Sequence, residues 1–203
     1  MPSINNEPRE VPASMLTYDH SEIDTLAGDL LVALEEGDKL KVFARLDLLW
    51  ARLAVHIRAE HLCLFPSILE ANFSDTGSGP TYQEAQGVID QLRLDHEFFI
   101  RELGKRVNSM RKQRDASDNE LVSKQFRKVR CSVVEIQTRL VKHNQLEENH
   151  VYQWVNVLLN ETERLVLVDR ITRELENIPA RFNFSDFVNE FGVRMITTLE
   201  KDG

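Results

Sequence analysis

Two stretches of the chain carry the same pair of side chains that can bind a metal ion. His56 is followed four residues later by Glu60, and His143 is followed four residues later by Glu147. In an α-helix, residues four apart lie on one face about one turn from each other, so each imidazole and its carboxylate point the same way. Each stretch is therefore half of a candidate metal site.

A single histidine precedes each of these stretches, and an aspartate stands directly before it. The two pairs are Asp19-His20 and Asp95-His96. The order is thus aspartate-histidine followed by histidine-glutamate, repeated twice in a chain with only six histidines. This repetition predicts a duplicated metal-binding half, in which two carboxylates and four imidazoles are enough for a two-metal centre with open positions.

Length and composition favour one helical domain. The chain has 203 residues, few glycines and prolines, and no alternating β-branched runs, which is typical of an all-α protein large enough to bury its own core. A net charge of −8 argues against binding to nucleic acid, whose phosphates attract basic surfaces. Two cysteines without a pairing pattern, and the lack of a signal peptide or a membrane-length apolar run, predict a cytoplasmic protein that does not enter the membrane.

The elements that must position these residues are four long helices. Their apolar stripes predict helix A, which begins near Ser14 or Thr17 and ends at Gly37, and helix B, which is capped by Asp38 and bent or ended by Pro66. Helix C is predicted from about 81 to 114 and helix D from about 119 to 159. The polar segment 72–80 and the turn 115–118 separate them. Short connections between long helices predict an antiparallel up-down four-helix bundle in which the motifs meet at one level.

The ends of the chain carry no part of the candidate site. Residues 1–12 are predicted to be a flexible arm, residues 13–160 the bundle, and residues 161–203 a helical extension that packs on the bundle or on a partner. The extension is expected to contain one helix stopped by Ile178-Pro179 and a last amphipathic helix capped within 183–186. A homodimer through these C-terminal helices is a further expectation.

Burying Glu60 and Glu147 among leucines is unfavourable unless something offsets their desolvation. A divalent cation does so directly, and a mixture of imidazole and carboxylate suits iron, manganese or zinc. A closed structural zinc site normally has four ligands and often uses cysteine, whereas this chain offers six imidazole and carboxylate candidates. Of the other two histidines, His61 is predicted to lie at the edge of the site or in solvent, and His150 to be packed or to support a ligand.

The linked motifs closely resemble those of the hemerythrin-like, or HHE cation-binding, family over about residues 14–155. The resemblance implies a four-helix bundle with a carboxylate-bridged, non-haem pair of iron ions, and it ranks manganese and zinc below iron. By position, His20 and His56 would bind one iron, His96 and His143 the other, and Glu60 and Glu147 both. Ferritin-like proteins also use a bundle, but their Glu-x-x-His motif occurs only once here, at Glu147 and His150.

One departure from the family pattern bears on function. Oxygen-carrying hemerythrins have a second histidine one turn after the helix-C ligand, where this chain has Ile100. The set therefore looks more like the non-carrier branches, which sense or detoxify dioxygen, peroxide or nitric oxide, or repair iron centres. The prediction is a di-iron protein that binds, senses or reacts with such a small molecule. The alternatives are a metal-stabilised regulatory or protein-interaction module and an iron-handling or repair protein.

Overall fold

The computed structural model describes residues 12–73, 79–113 and 118–178. The predicted arm, apart from Pro12, and the predicted last helix lie outside these ranges. The described residues form helices and no strand, so the predicted all-α class is confirmed. The elements in chain order are α1 (Pro12–Glu36), α2 (Lys39–Ala59), the π-helical turn π1 (Glu60–Leu64), α3 (Phe65–Leu69), α4 (Tyr82–Lys112), α5 (Asn119–Leu146), the π-helical turn π2 (Glu147–Val151), α6 (Tyr152–Leu158) and α7 (Glu161–Glu176).

Local capping sets where the helices begin. The Asp38 side chain accepts hydrogen bonds from the backbone N–H groups of residues 40 and 41, as predicted, and Asp118 does the same at the start of α5. Thr81 and Asn160 each form a reciprocal capping box with the glutamate three residues later. These side chains satisfy backbone donors that the first helical turn leaves free. Gly37, with a φ of 76°, ends α1 in the left-handed conformation that glycine adopts without strain.

The four long helical segments form the predicted antiparallel bundle. α1 packs against α2 and α5, and α4 packs against the same two neighbours, which closes the ring. The core has two apolar clusters, one around residues such as Leu30, Leu49 and Leu103, the other around residues such as Phe65, Ile89 and Val155. The candidate ligands lie on the helix segments that join these two clusters.

Helices B and D are each interrupted by one wider turn directly at the glutamate. The N–H of Phe65 donates to the carbonyl of Glu60, and the N–H of Tyr152 donates to the carbonyl of Glu147, five residues back in each case. Such π-helical turns are rare in proteins overall, and those that occur are often located at functional sites. The helix then continues, so that π1 and α3 extend α2 to Leu69, three residues beyond Pro66.

Helix α7 packs along the end of the segment that carries His56 and Glu60. Arg58 donates to the Glu174 carboxylate at 2.7 Å, and Arg170 donates to the carbonyl of Leu62 at 2.6 Å. In a regular helix that carbonyl would accept from Pro66, which has no N–H, so Arg170 supplies the missing donor. Three apolar side chains on the inner face of α7 are buried in the second core cluster: Leu167, Ile171 and Leu175.

None of the helices in the described part of the chain is both long enough and apolar enough to span a bilayer.

Candidate metal centre

The helices bring the six predicted residues together in two buried groups that share two members. α1 contributes one histidine, α2 and π1 a histidine and a glutamate, α4 one histidine, and α5 and π2 a histidine and a glutamate. The groups are His20, His56, Glu60 and Glu147, and then Glu60, His96, His143 and Glu147. Within each group, one ligand atom from every residue lies within 4.8 Å of the others.

In the first group, two imidazole nitrogens face two carboxylate oxygens. His20 Nε2 lies 3.1 Å from Glu147 Oε2, and His56 Nε2 lies 3.3 Å from Glu60 Oε1. These separations are close to the spacing of about 3 Å between neighbouring donors around an octahedral ion with bonds of about 2.1 Å. The four atoms are therefore arranged as ligands of one cation.

The second group repeats this arrangement with the other oxygen of each carboxylate. His96 Nε2 lies 3.2 Å from Glu60 Oε2, and His143 Nε2 lies 3.1 Å from Glu147 Oε1. The two imidazole nitrogens are 3.0 Å apart. Each glutamate thus presents one oxygen to each group, which is the geometry of a carboxylate that bridges two ions.

The hydrogen bonding of these carboxylates shows that a cation fits. Glu60 and Glu147 are both 0% exposed. Among the described residues, Glu60 Oε2, both oxygens of Glu147 and His56 Nε2 have no hydrogen-bond partner. A buried carboxylate oxygen that accepts no hydrogen bond is destabilising, and a divalent cation bound to it removes this penalty. The two groups therefore form a candidate binuclear metal site.

The first-group histidines are oriented by carboxylates at their other ring nitrogen. Asp19 Oδ2 lies 2.8 Å from His56 Nδ1, and Glu148 Oε1 lies 3.0 Å from His20 Nδ1. Buried Arg52 donates to the second oxygen of Asp19. Because a proton on Nδ1 leaves Nε2 free to bind a metal, these contacts select the tautomer and the ring orientation that a ligand needs.

The second-group histidines have partners at the matching positions. His61 Nε2 lies 2.8 Å from His96 Nδ1, and Asp95 Oδ2 lies 3.5 Å from His143 Nδ1. The residue after each bridging glutamate therefore contacts the histidine of α1 or α4: Glu148 contacts His20, and His61 contacts His96. The aspartate before each of these histidines faces the other histidine of the same group: Asp19 faces His56, and Asp95 faces His143. The position that Glu148 has in the first group is taken by His61 in the second. Burial and then the neighbouring His96 lower the pKa of His61, which favours its neutral form.

Without a metal, the neighbouring carboxylates favour the protonated forms of His56 and His143. Burial alone would lower the pKa of His143, but Glu147, Asp95 and Glu60 outweigh burial and raise it to about 9. The pKa of His56 is raised in the same way, since Glu60 and Glu147 outweigh its burial. Burial would raise the pKa of Glu60, yet His56 and His96 hold it well below the usual value.

We expect the metal-free protein to lose stability as the pH rises from about 6.5 to about 9. His143 has a pKa of about 9 when folded and 6.5 when unfolded, so its contribution is complete below 6.5 and is lost as the pH passes through the folded value. Urea unfolding of the metal-free protein over this range measures the effect. A His143→Gln variant should show a shallower decline, and metal-free protein whose stability stays level or increases over this range would contradict the assignment.

Three supporting residues were not assigned to the site from sequence. Glu148 was left out because its position beside a motif is equally typical of a surface ion pair, and it reaches His20 across 128 residues of chain. Arg52 belongs to an apolar stretch of α2 that gives no signal for a buried charge. Tyr152, whose hydroxyl oxygen lies 3.2 Å from His20 Nε2, follows Glu147 by five residues, and this spacing places two residues on one face in a π-helical turn but not in a regular α-helix.

His61 and His150 differ in their relation to the site. His61 lies at the edge of the second group, in line with the sequence prediction. His150 is exposed and packs against Trp154, with ring centroids 5.8 Å apart. It belongs to neither group of potential ligands.

Comparison with known proteins agrees with this geometry. The family model described as "Hemerythrin HHE cation binding domain" matches residues 11–155, which include all six residues of the two groups. No match to the chain was found among curated proteins or among solved structures.

Proposed function

Because the chain belongs to the hemerythrin HHE cation-binding domain family, we propose that it holds two iron ions bridged by Glu60 and Glu147 and that it binds, senses or reacts with dioxygen, peroxide or nitric oxide. The observation that carries the proposal is the sharing of both glutamates by two groups of buried ligands. One ion would be held by His20 and His56, the other by His96 and His143.

The number of donors supports a reactive centre. Each group offers two imidazole nitrogens and two carboxylate oxygens, which leaves positions open on an ion that prefers six ligands. Iron with such a mixed nitrogen and oxygen set supplies an open binding position and electrons for small oxidising ligands. Manganese and zinc fit the same donors, and iron is proposed on the strength of the family and of the bridging pair.

The surrounding side chains suit a ligand that is small and weakly polar. Phe65 stacks on the His96 ring, and Phe99 meets the His143 ring edge-on at 5.3 Å between centroids. Both phenylalanines are fully buried, and they separate the ligands from water on this side of the site. A dry apolar wall favours uncharged diatomic molecules over ions and limits uncontrolled oxidation of the metal.

The test is anaerobic loading with Fe(II) followed by rapid mixing with dioxygen, peroxide or nitric oxide. We expect the visible absorption spectrum to change with at least one of the three and the change to be absent in a Glu60→Gln, Glu147→Gln double variant. A reversible change indicates binding or sensing, and a rapid irreversible oxidation indicates an enzyme or a one-use sensor.

Two outcomes would contradict the proposal. Loaded protein that responds to none of the three molecules would favour a metal-stabilised interaction module. Protein that takes up zinc or manganese but not iron under the same conditions would contradict the proposed iron centre.

A further inference from the structure

The two halves of the metal site are related by a local twofold repeat that extends beyond the ligands. An aromatic residue stands five positions after each bridging glutamate: Phe65 after Glu60 and Tyr152 after Glu147. In each case its N–H closes the π-helical turn on the glutamate carbonyl. The wide turn keeps the aromatic side chain on the same face as the glutamate, so that both rings point at the site.

The two rings also make the same contact with the single histidine of their half. Phe65 stacks on His96 with centroids 5.9 Å apart and planes 11° from parallel, and Tyr152 stacks on His20 with centroids 5.9 Å apart and planes 21° from parallel. The halves differ in the para position of the ring, where only Tyr152 has a hydroxyl. One half of the centre therefore contains an additional oxygen.

This oxygen lies among the ligand atoms of the first group. Tyr152 Oη is 3.2 Å from His20 Nε2 and 3.5 Å from Glu60 Oε1. Those separations resemble the distances of 3.1 and 3.3 Å between the imidazole and carboxylate atoms of the same group. The Tyr152 side chain is 2% exposed, so water does not compete freely for its hydroxyl.

We propose that Tyr152 is a further ligand of the ion held by His20, His56, Glu60 and Glu147, bound through its phenolate oxygen. This inference rests on the proposed function. The bond between Oη and the ion forms as the O–H bond breaks, and the proton is released to solvent, so that one proton leaves for each tyrosine that binds. A metal ion favours this loss because its charge stabilises the phenolate, as it does for other coordinating groups.

The ligand set then becomes unequal between the two ions. The first ion has five protein donors and the second, held by His96 and His143, has four. The more open ion would be the one held by the two histidines that Phe65 and Phe99 contact. An incoming small molecule is therefore expected to bind first at the His96 and His143 side.

The metal-free protein gives a clear baseline for a test. Burial, followed by Glu147 and Glu60, raises the pKa of Tyr152 well above its usual value. A phenolate signal that is absent from the metal-free protein and appears on loading reports the metal.

The experiment is to load the full chain anaerobically with Fe(II), oxidise it with ferricyanide, and record visible absorption and resonance Raman spectra together with iron content. We expect a phenolate-to-Fe(III) charge-transfer band with enhanced tyrosine ring vibrations. The Tyr152→Phe variant should lose the band while it retains most of its iron. Tyr82→Phe is the matched control, because Tyr82 is half-exposed and far along α4 from the ligands, and it should keep the band.

The possible results separate this inference from the proposed function. Ferric wild-type protein with a full iron content and no phenolate band, or a band that persists in Tyr152→Phe, would overturn the tyrosine ligand and leave the bridged centre in place. Wild-type protein that binds no iron would overturn both. If Tyr152→Phe does not fold, wild-type protein grown with ring-deuterated tyrosine and the Tyr18→Phe and Tyr82→Phe variants decide. The enhanced vibrations must shift on deuteration and persist in both variants, and unshifted vibrations or their loss in either variant reject Tyr152 as the ligand.

Discussion

His56→Ala and His143→Ala should each remove roughly half or more of the metal from a protein that otherwise carries about two ions per chain. Each substitution removes one of the four imidazole and carboxylate donors of its own group. Loss of one ion is expected to weaken binding of the other, because both ions would hold Glu60 and Glu147 in position. Loss of a supporting hydrogen bond alone typically lowers metal affinity about 10-fold to 100-fold, and loss of a ligand exceeds this.

Metal analysis of freshly purified wild-type and variant proteins measures this effect. His150→Ala is the matched control, since this histidine is exposed and lies outside both groups. Its metal content should equal that of the wild type. Equal metal contents in His56→Ala, His143→Ala and the control would show that these histidines are not ligands.

Removal of the metal with a chelator should lower the thermal unfolding midpoint by on the order of 10 °C. A ligand present at about 1,000 times its dissociation constant stabilises the folded state by about 4 kcal/mol, and a domain of this size shifts by about 2–4 °C per kcal/mol. The structural reason is that the metal-free state buries two carboxylates whose oxygens are incompletely paired.

Circular dichroism melts with and without chelator, followed by anaerobic return of Fe(II), measure the shift and its reversal. The Glu60→Gln, Glu147→Gln double variant is expected to melt at the same temperature with and without chelator, because it lacks both bridging carboxylates. A wild-type midpoint that does not respond to the chelator would mean that the metal is absent or contributes nothing to folding.

Most of the fold and the convergence of the six side chains could be predicted from sequence. Helical spacing places His56 and Glu60 on one face, and antiparallel helices of similar length bring motifs near their ends to one level. The prediction of Asp38 as an N-cap placed the start of α2 correctly. The sequence repeat predicted a duplicated metal-binding half, the family resemblance implied that Glu60 and Glu147 are shared, and the two groups in the structure contain these same residues. Binding of a metal by them stays a prediction.

The remaining features depend on interactions that a helical repeat does not encode. A π-helical turn changes the spacing from about four residues to five, so the positions of Phe65 and Tyr152 relative to the ligands could not be read from α-helical periodicity. The contact of Glu148 with His20 joins α1 to π2, which lies 128 residues further along the chain, and sequence proximity gives no indication of it. Such contacts follow from tertiary packing alone.

The anchoring of α7 has a mechanical consequence. Arg58 of α2 and Arg170 of α7 form hydrogen bonds that join α7 to the helical segment that supplies His56 and Glu60, one on each side of the glutamate. We expect a change in the tilt of this segment to be transmitted to α7 through these two contacts. Within the described part of the chain, a helix that supplies no ligand is thus attached directly to the segment that supplies two.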